Sequence, residues 1–183
     1  QWKINYPCDP SVVPDEFLNS SVVRLLNATG HAIGIHGWYH YNPWDSDAVD
    51  PTREISWVEE EIIKSLGLSE MPNNLLRAPG GGFGISKIPY NGYENWYYYG
   101  WTINPEDYNL SNGDEVIDAL YTELESKGFP DNPIILLHDI HNQTRDALLY
   151  GNLLGKMKSW GYTDFKALPR PGDFPGQKIG IGY

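Results

Sequence analysis

Apolar residues recur along this chain at two different spacings, and the alternation between them predicts strands and helices in turn. A short β-leaning start, Trp2 to Tyr6, precedes a Pro-rich turn and a helical stretch from about Pro14 to Ala28, which Gly30 closes. Ala32 to His36 reads as the next strand. Asp50-Pro51 combines an N-cap residue with Pro at the first helical position, and Ile55, Val58, Ile62 and Leu66 then fall on one face before Gly67. Leu75 to Ala78 is a short strand running into the turn Gly80-Gly81-Gly82, and Tyr97 to Ile103 is a second strand, rich in aromatics. A helix starting between Ser111 and Asp114 carries Val116, Ile117, Leu120 and Leu124 inward and stops at Gly128. Pro133 to Leu137 is wholly apolar, the mark of a strand buried on both faces in a parallel sheet. A helix from about Arg145 to Trp160, with Leu149, Leu153, Met157 and Trp160 inward, and a last strand from Thr163 to Leu168 complete an α/β order.

With 183 residues and no repeat or low-complexity linker, the chain reads as a single domain over residues 1–183. Its 40% hydrophobic and 20% charged residues are a globular composition, and no apolar run is long enough to cross a membrane. The formal net charge of −11 argues against nucleic acid and anionic lipid as partners, because phosphate binding rests on Lys and Arg. Aromatic residues reach 14% and cluster at Trp38-Tyr39-His40-Tyr41, Trp44 and Trp96 to Trp101, a pattern that serves a core or a surface on which sugar rings stack. Cys8 is the sole cysteine, so a disulfide could form only with another chain. Four sequons, at Asn19, Asn27, Asn109 and Asn142, favour a eukaryotic extracellular protein, and the start at Gln1 suits a processed chain.

Polar residues of catalytic type stand at the C-terminal ends of three predicted strands, where sites sit in parallel α/β folds. His36 and His40, four residues apart, can reach one metal ion if the backbone turns both rings to the same side. Arg77-Ala-Pro-Gly80 brings a guanidinium, a fixed turn and a glycine that lets a ligand approach the backbone; alone it is also an ordinary turn beside a surface arginine. Leu136-Leu137-His138-Asp139 puts a histidine at the end of an apolar strand, as a core residue or as a general acid or base.

In order and spacing, Gly30-His31 to His36, the His36/His40 pair, Arg77-x-Pro-Gly80 and Leu-Leu-His138-Asp resemble the polysaccharide deacetylase family, the NodB-homology domain of carbohydrate esterase family 4. Trp101-Thr-Ile-Asn104-Pro-Glu-Asp107-Tyr108 resembles that family's fourth motif, with Asn104 where Asp is usual and Tyr108 where Trp is usual. The resemblance runs over about residues 14–168 and implies a distorted (β/α) barrel. It implies a divalent metal, zinc first, held by His36, His40 and an aspartate, with a second aspartate as base for the attacking water. Gly80 would offer its N–H to the oxyanion and Arg77 would orient the base. His138 would protonate the leaving amine, with Asp107 bonded to it, while Leu136 lines the acetyl pocket and Tyr108 packs beside it. His31 is structural in the family. The implied partner is an acetylated polysaccharide or oligosaccharide.

One part of the pattern is missing. The family's first strand ends in an Asp-Asp pair supplying the base and one metal ligand, and no Asp-Asp occurs in this sequence. The first strand is then missing or replaced, or lies on a separate chain or in a segment absent from this sequence, and within the sequence Asp9 is the best remaining candidate carboxylate. Three readings follow: a metal-dependent deacetylase of chitin, chitooligosaccharide, peptidoglycan or xylan; a catalytically impaired carbohydrate-binding protein of the same fold; and a structural or storage protein of the same descent.

Overall fold

A computed structural model describes residues 20–38, 40, 50–81, 96–166 and 177–178. Trp2 to Tyr6, Cys8, Asp9, Asn19, Tyr39, Tyr41 and Trp44 lie outside these residues. So does the beginning of the first expected helix. The chain falls into two compact units, the first comprising residues 1–99 with 167–183 and the second residues 100–166.

In the first unit, helix α1 spans Ser20–Ala28 and helix α2 spans Pro51–Leu66. Asp50 caps α2 as its sequence predicts, its carboxylate accepting from the Thr52 and Arg53 N–H groups, and Gly67 closes it in the left-handed conformation. The inward face of α2 is also the expected one: Ile55 and Ile62 are buried, and Val58 and Leu66 pack against the same core with Ile35, Leu76, Ala78 and Trp96. Strand β1, Leu75–Leu76, pairs in parallel with β2, Tyr97–Tyr98, which pairs antiparallel with β3, Gln177–Lys178. Ile35 makes a parallel bridge to Leu76, through Ile35 N–H to Leu75 O at 2.8 Å and Arg77 N–H to Ile35 O at 2.9 Å. The approach is close because Gly34 lacks a Cβ, which would otherwise meet the Leu75 Cβ at 2.9 Å. These two parallel segments end side by side, at His36 and at Arg77.

In the second unit, a parallel bridge joins Ile103 to Ile135, a 3₁₀ turn covers Asp107–Asn109, and helix α3 runs over Gly113–Ser126. Helices α4, Asn142–Leu149, and α5, Leu153–Ser159, follow. The core holds Val116, Ile117, Leu120 and Leu124, the four residues expected of α3, together with Ile103, Ala147, Leu153 and Met157.

Three sequence expectations need correction here. The single helix expected over 145–160 is two helices, with Asn152 in the left-handed conformation between them, so Leu149 turns outward and is 67% exposed. The break fits close packing at Gly151, where a Cβ would lie 2.5 Å from Ile117 Cδ1. Pro133 to Leu137 is not buried throughout: Leu136 is buried, while Ile134, Ile135 and Leu137 are only partly covered. Thr163 to Lys166 is exposed and not in a strand, and its Asp164 and Lys166 pair with each other at the surface at 3.0 Å. Among the described residues, no helix is long and apolar enough to cross a membrane.

Candidate functional site

His36 and His40 belong to the first unit and are brought together there. The segment leaves the sheet at His36, turns through Gly37 in the left-handed conformation, and reaches His40, which is itself left-handed at φ 54°. A β-carbon is crowded in that region, and such backbone is retained where the surrounding fold over-determines it. The result is a pair of rings at 79° with centroids 4.7 Å apart and the two Nε2 atoms separated by 3.1 Å.

The other nitrogen of His36 settles its tautomer. Nδ1 lies 2.6 Å from the main-chain carbonyl oxygen of Arg77. A carbonyl can only accept, so Nδ1 carries a proton and the neutral ring presents its Nε2 lone pair toward His40. A backbone carbonyl behind a ligating imidazole is the usual support of a histidine–metal bond. Four nitrogens around zinc at about 2.0 Å would stand about 3.3 Å apart, close to the observed Nε2 separation. The donor set therefore fits two positions of a zinc-type ion. Among the described residues no group of three His, Cys, Asp or Glu side chains gathers to complete such a site.

Arg77 thus enters the site through its carbonyl, whereas its sequence motif points only to its guanidinium. Gly80 is exposed and left-handed at φ 69°, in a turn closed by Gly81 N–H to Ala78 O at 3.1 Å. Glu54, which belongs to none of the motifs, also supports the site. Its carboxylate is buried on the first turn of α2 and accepts the Trp38 N–H at 2.8 Å, tying the middle of the His36–His40 segment to the helix. Trp38 stands edge-on to Trp57, centroids 6.3 Å apart, and Arg53 lies 5.8 Å from the Trp57 ring. An acid beside Ile55 on the inward face of a predicted helix was the available signal.

In the second unit Asp107 is fully buried and His138 is partly exposed, and they meet twice. Asp107 Oδ1 lies 2.7 Å from His138 Nδ1, and Asp107 Oδ2 accepts the His138 backbone N–H at 2.7 Å. The Thr144 hydroxyl donates to Oδ2 at 2.5 Å, and Gln143 donates to the Asp107 main-chain oxygen at 2.9 Å. Burial by itself pushes the Asp107 carboxyl upward, but the hydrogen bonds from Thr144 and His138 outweigh it and hold the group below the ordinary aspartate value. An ionised Asp107 can only accept, so His138 keeps its proton on Nδ1 and leaves Nε2 as the atom that gains or gives one.

Glu106, immediately before Asp107, is left-handed at φ 52° and aims the 3₁₀ turn. Tyr108 stands edge-on to His138 with centroids 5.2 Å apart, His141 stands 6.0 Å from it, and Leu136 is buried on the same strand end. Asn104 takes no part in this pair: its N–H donates to Glu123 Oε2 at 2.6 Å and its side-chain oxygen accepts the Glu106 N–H at 3.3 Å. Thr144 and Gln143 were missed because the helix was expected to begin at Arg145, which left both in a loop.

Residues 11–91 match the family model described as polysaccharide deacetylase. Over 144 residues the chain is 25% identical to a chitin deacetylase of Pestalotiopsis sp, covering 79% of this chain and 46% of that protein. Over 164 residues it is 25% identical to a peptidoglycan-N-acetylglucosamine deacetylase of Listeria monocytogenes, covering 90% of this chain and 32% of that protein. The chain thus spans less than half the length of these curated relatives. In fold it is similar to a polysaccharide deacetylase of Bacillus cereus, with a TM-score of 0.66, 23% identity, and coverage of 87% of this chain and 79% of that one. It is also similar to a carbohydrate esterase family 4 pseudoenzyme of Bacillus anthracis, with a TM-score of 0.63, 16% identity, and coverage of 79% and 47%. In its family-model match over residues 11–91, in its sequence relatives and in its fold, the chain is similar to polysaccharide deacetylases.

Proposed function

We propose that this chain is a secreted, metal-dependent, polysaccharide deacetylase-like protein acting on N-acetyl or O-acetyl groups of chitin-type, peptidoglycan or xylan glycans. It keeps the family's distorted barrel. The observation that carries the reading is the His36–His40 pair, whose Nε2 atoms lie 3.1 Å apart with His36 Nδ1 tied to a carbonyl. A divalent ion held by these two nitrogens, zinc first, would polarise the acetyl carbonyl and make water more acidic. His138, protonated and oriented by Asp107, gives a proton to the departing amine nitrogen as the C–N bond breaks, and acetate leaves. The Gly80 N–H takes the developing oxyanion, Arg77 orients the base, and Leu136 and Tyr108 bound the acetyl pocket.

The base itself is the open position, and Asp9 is the carboxylate in this chain proposed to fill it. The absence of any Asp-Asp in the sequence supports a second reading, a carbohydrate-binding protein of the same fold whose turnover is impaired. Calorimetric titration with zinc, run beside acetate release from acetylated chitooligosaccharide and peptidoglycan, separates the two. Zinc binding that needs both histidines, with acetate release, supports the enzyme. Glycan binding without acetate supports the second reading. Zinc binding indifferent to both histidines overturns the metal assignment.

A further inference from the structure

Asp107 carries one buried carboxylate, and its two oxygens do different work. Oδ1 faces His138 Nδ1 at 2.7 Å, while Oδ2 is held by two donors, the His138 N–H at 2.7 Å and the Thr144 hydroxyl at 2.5 Å. The backbone N–H and the imidazole belong to the same residue, so Thr144 is the donor that fixes the carboxylate from a different element. It stands in the first turn of α4 and is itself buried. The neighbouring Gln143 grips the Asp107 main-chain oxygen, so α4 holds that residue at both its backbone and its side chain.

The position of α4 is in turn set by glycine. A Cβ on Gly113, at the start of α3, would lie 2.7 Å from Ala147 N and 2.9 Å from Asp146 C, so the two helices meet backbone to backbone. Such contact leaves α4 almost no freedom to slide, and Thr144 is delivered to Oδ2 with little side-chain entropy left to lose.

We propose that Thr144 is a positioning residue that orients the Asp107 carboxylate toward His138 Nδ1 and thereby keeps His138 in the tautomer that leaves Nε2 to act on substrate. The catalytic use of His138 rests on the function proposed above, but the orientation does not. Remove the hydroxyl without changing the shape, and Oδ2 loses its second donor inside a site closed to solvent, where an unsatisfied carboxylate oxygen is costly. The carboxylate then rotates or takes up a proton, and the Nδ1–H bond weakens.

The test compares Thr144→Val, which keeps the shape and loses the donor, with Thr144→Ser, which keeps the donor and loses a methyl group. Two readouts need neither zinc nor glycan: the carboxyl carbon resonance of Asp107 against pH, and the exchange rate of the His138 Nδ1 proton. In Thr144→Val the Asp107 midpoint moves upward and Nδ1–H exchanges about tenfold faster. In Thr144→Ser both stay near the parent values. A merely structural threonine would instead lower the melting temperature in both variants with both readouts unmoved, and that result overturns the proposal. A serine variant shifted as far as the valine one overturns it equally. Should the valine chain fail to fold, Thr144→Cys, a weak donor of similar size, gives the same comparison. Because the parent chain's acetate release is measured separately, its failure would sink the deacetylase reading and leave the Thr144 result standing.

Discussion

A histidine with a carbonyl oxygen 2.6 Å from its Nδ1 has its tautomer decided by its neighbour, and His36 is such a residue. Its Nε2 can then accept a proton from His40 or share an ion with it. The second possibility predicts that zinc, titrated calorimetrically, binds the parent chain at least about tenfold more tightly than either His36→Ala or His40→Ala, since each variant removes one nitrogen ligand outright while loss of even a supporting contact weakens metal sites by about 10–100-fold. Equal affinity in parent and variants would exclude the pair. Asp107 gives a second residue-scale expectation. Its carboxyl lies below the ordinary value because the Thr144 and His138 hydrogen bonds outweigh burial, so the folded chain binds its proton less readily than the unfolded chain does. The stability this contributes is complete above the unfolded value of about 3.9 and is lost as pH falls through the lower folded value. Asp107→Asn should therefore cost about 1–3 kcal/mol at pH 6. The gap to the parent should narrow below about pH 4, where the unfolded chain takes up its proton first, and should close as pH falls through the lower folded value. Thermal melts across that range check it, and a gap constant with pH would show that the loss has nothing to do with charge.

At the scale of elements, local rules acted where they were strong. Asp50-Pro51 before a 3.6-residue apolar stripe named α2 with its cap and its inward face, because an aspartate at N-cap satisfies N–H groups that the helix itself leaves unpaired. Asp50→Ala should lower stability by about 1 kcal/mol, read as a drop in thermal midpoint. Val116, Ile117, Leu120 and Leu124 named the inward face of α3 on the same grounds. What the sequence did not show is set by contacts between distant segments. The break between α4 and α5 follows from Gly151 lying against Ile117, and the early start of α4 placed Thr144 and Gln143 beside an aspartate more than thirty residues away. Periodicity cannot see either, since Leu149, Leu153 and Met157 keep helical spacing across the break. The candidate site divides the same way. His36, His40, Asp107 and His138 were legible as motif residues at predicted strand ends, whereas the Arg77 carbonyl and Glu54 act through a main-chain atom and a buried acid that no motif marks. Close packing at Gly113 also carries a prediction: Gly113→Ala should destabilise by about 1–3 kcal/mol in chemical denaturation, because α4 backbone rather than a flexible side chain occupies the space. A neutral result would mean that α4 can shift, and Thr144 with it.

For the molecule as a whole, the question is what remains when the first unit keeps the His36–His40 pair and the second the Asp107–His138 pair, but the sequence contains no Asp-Asp. Loss of a general base forfeits about a hundred- to ten-thousand-fold in rate, and loss of a metal ligand adds to that. Sugar binding depends on other groups. Flat aromatic faces and hydrogen-bonding backbone do not need the base, and the net charge of −11 does not oppose a neutral glycan. The 183-residue chain is therefore expected to bind acetylated chitooligosaccharide weakly and to release acetate slowly or not at all, with added zinc giving at most a small increase. Binding is read by calorimetry and acetate by a coupled assay on the same sample, so that a failure to bind is told apart from a failure to turn over. Rapid, zinc-dependent acetate release would defeat the expectation and point to Asp9 as the carboxylate that completes the site. Asp9→Asn then decides the matter, because it should abolish that release while leaving glycan affinity almost unchanged.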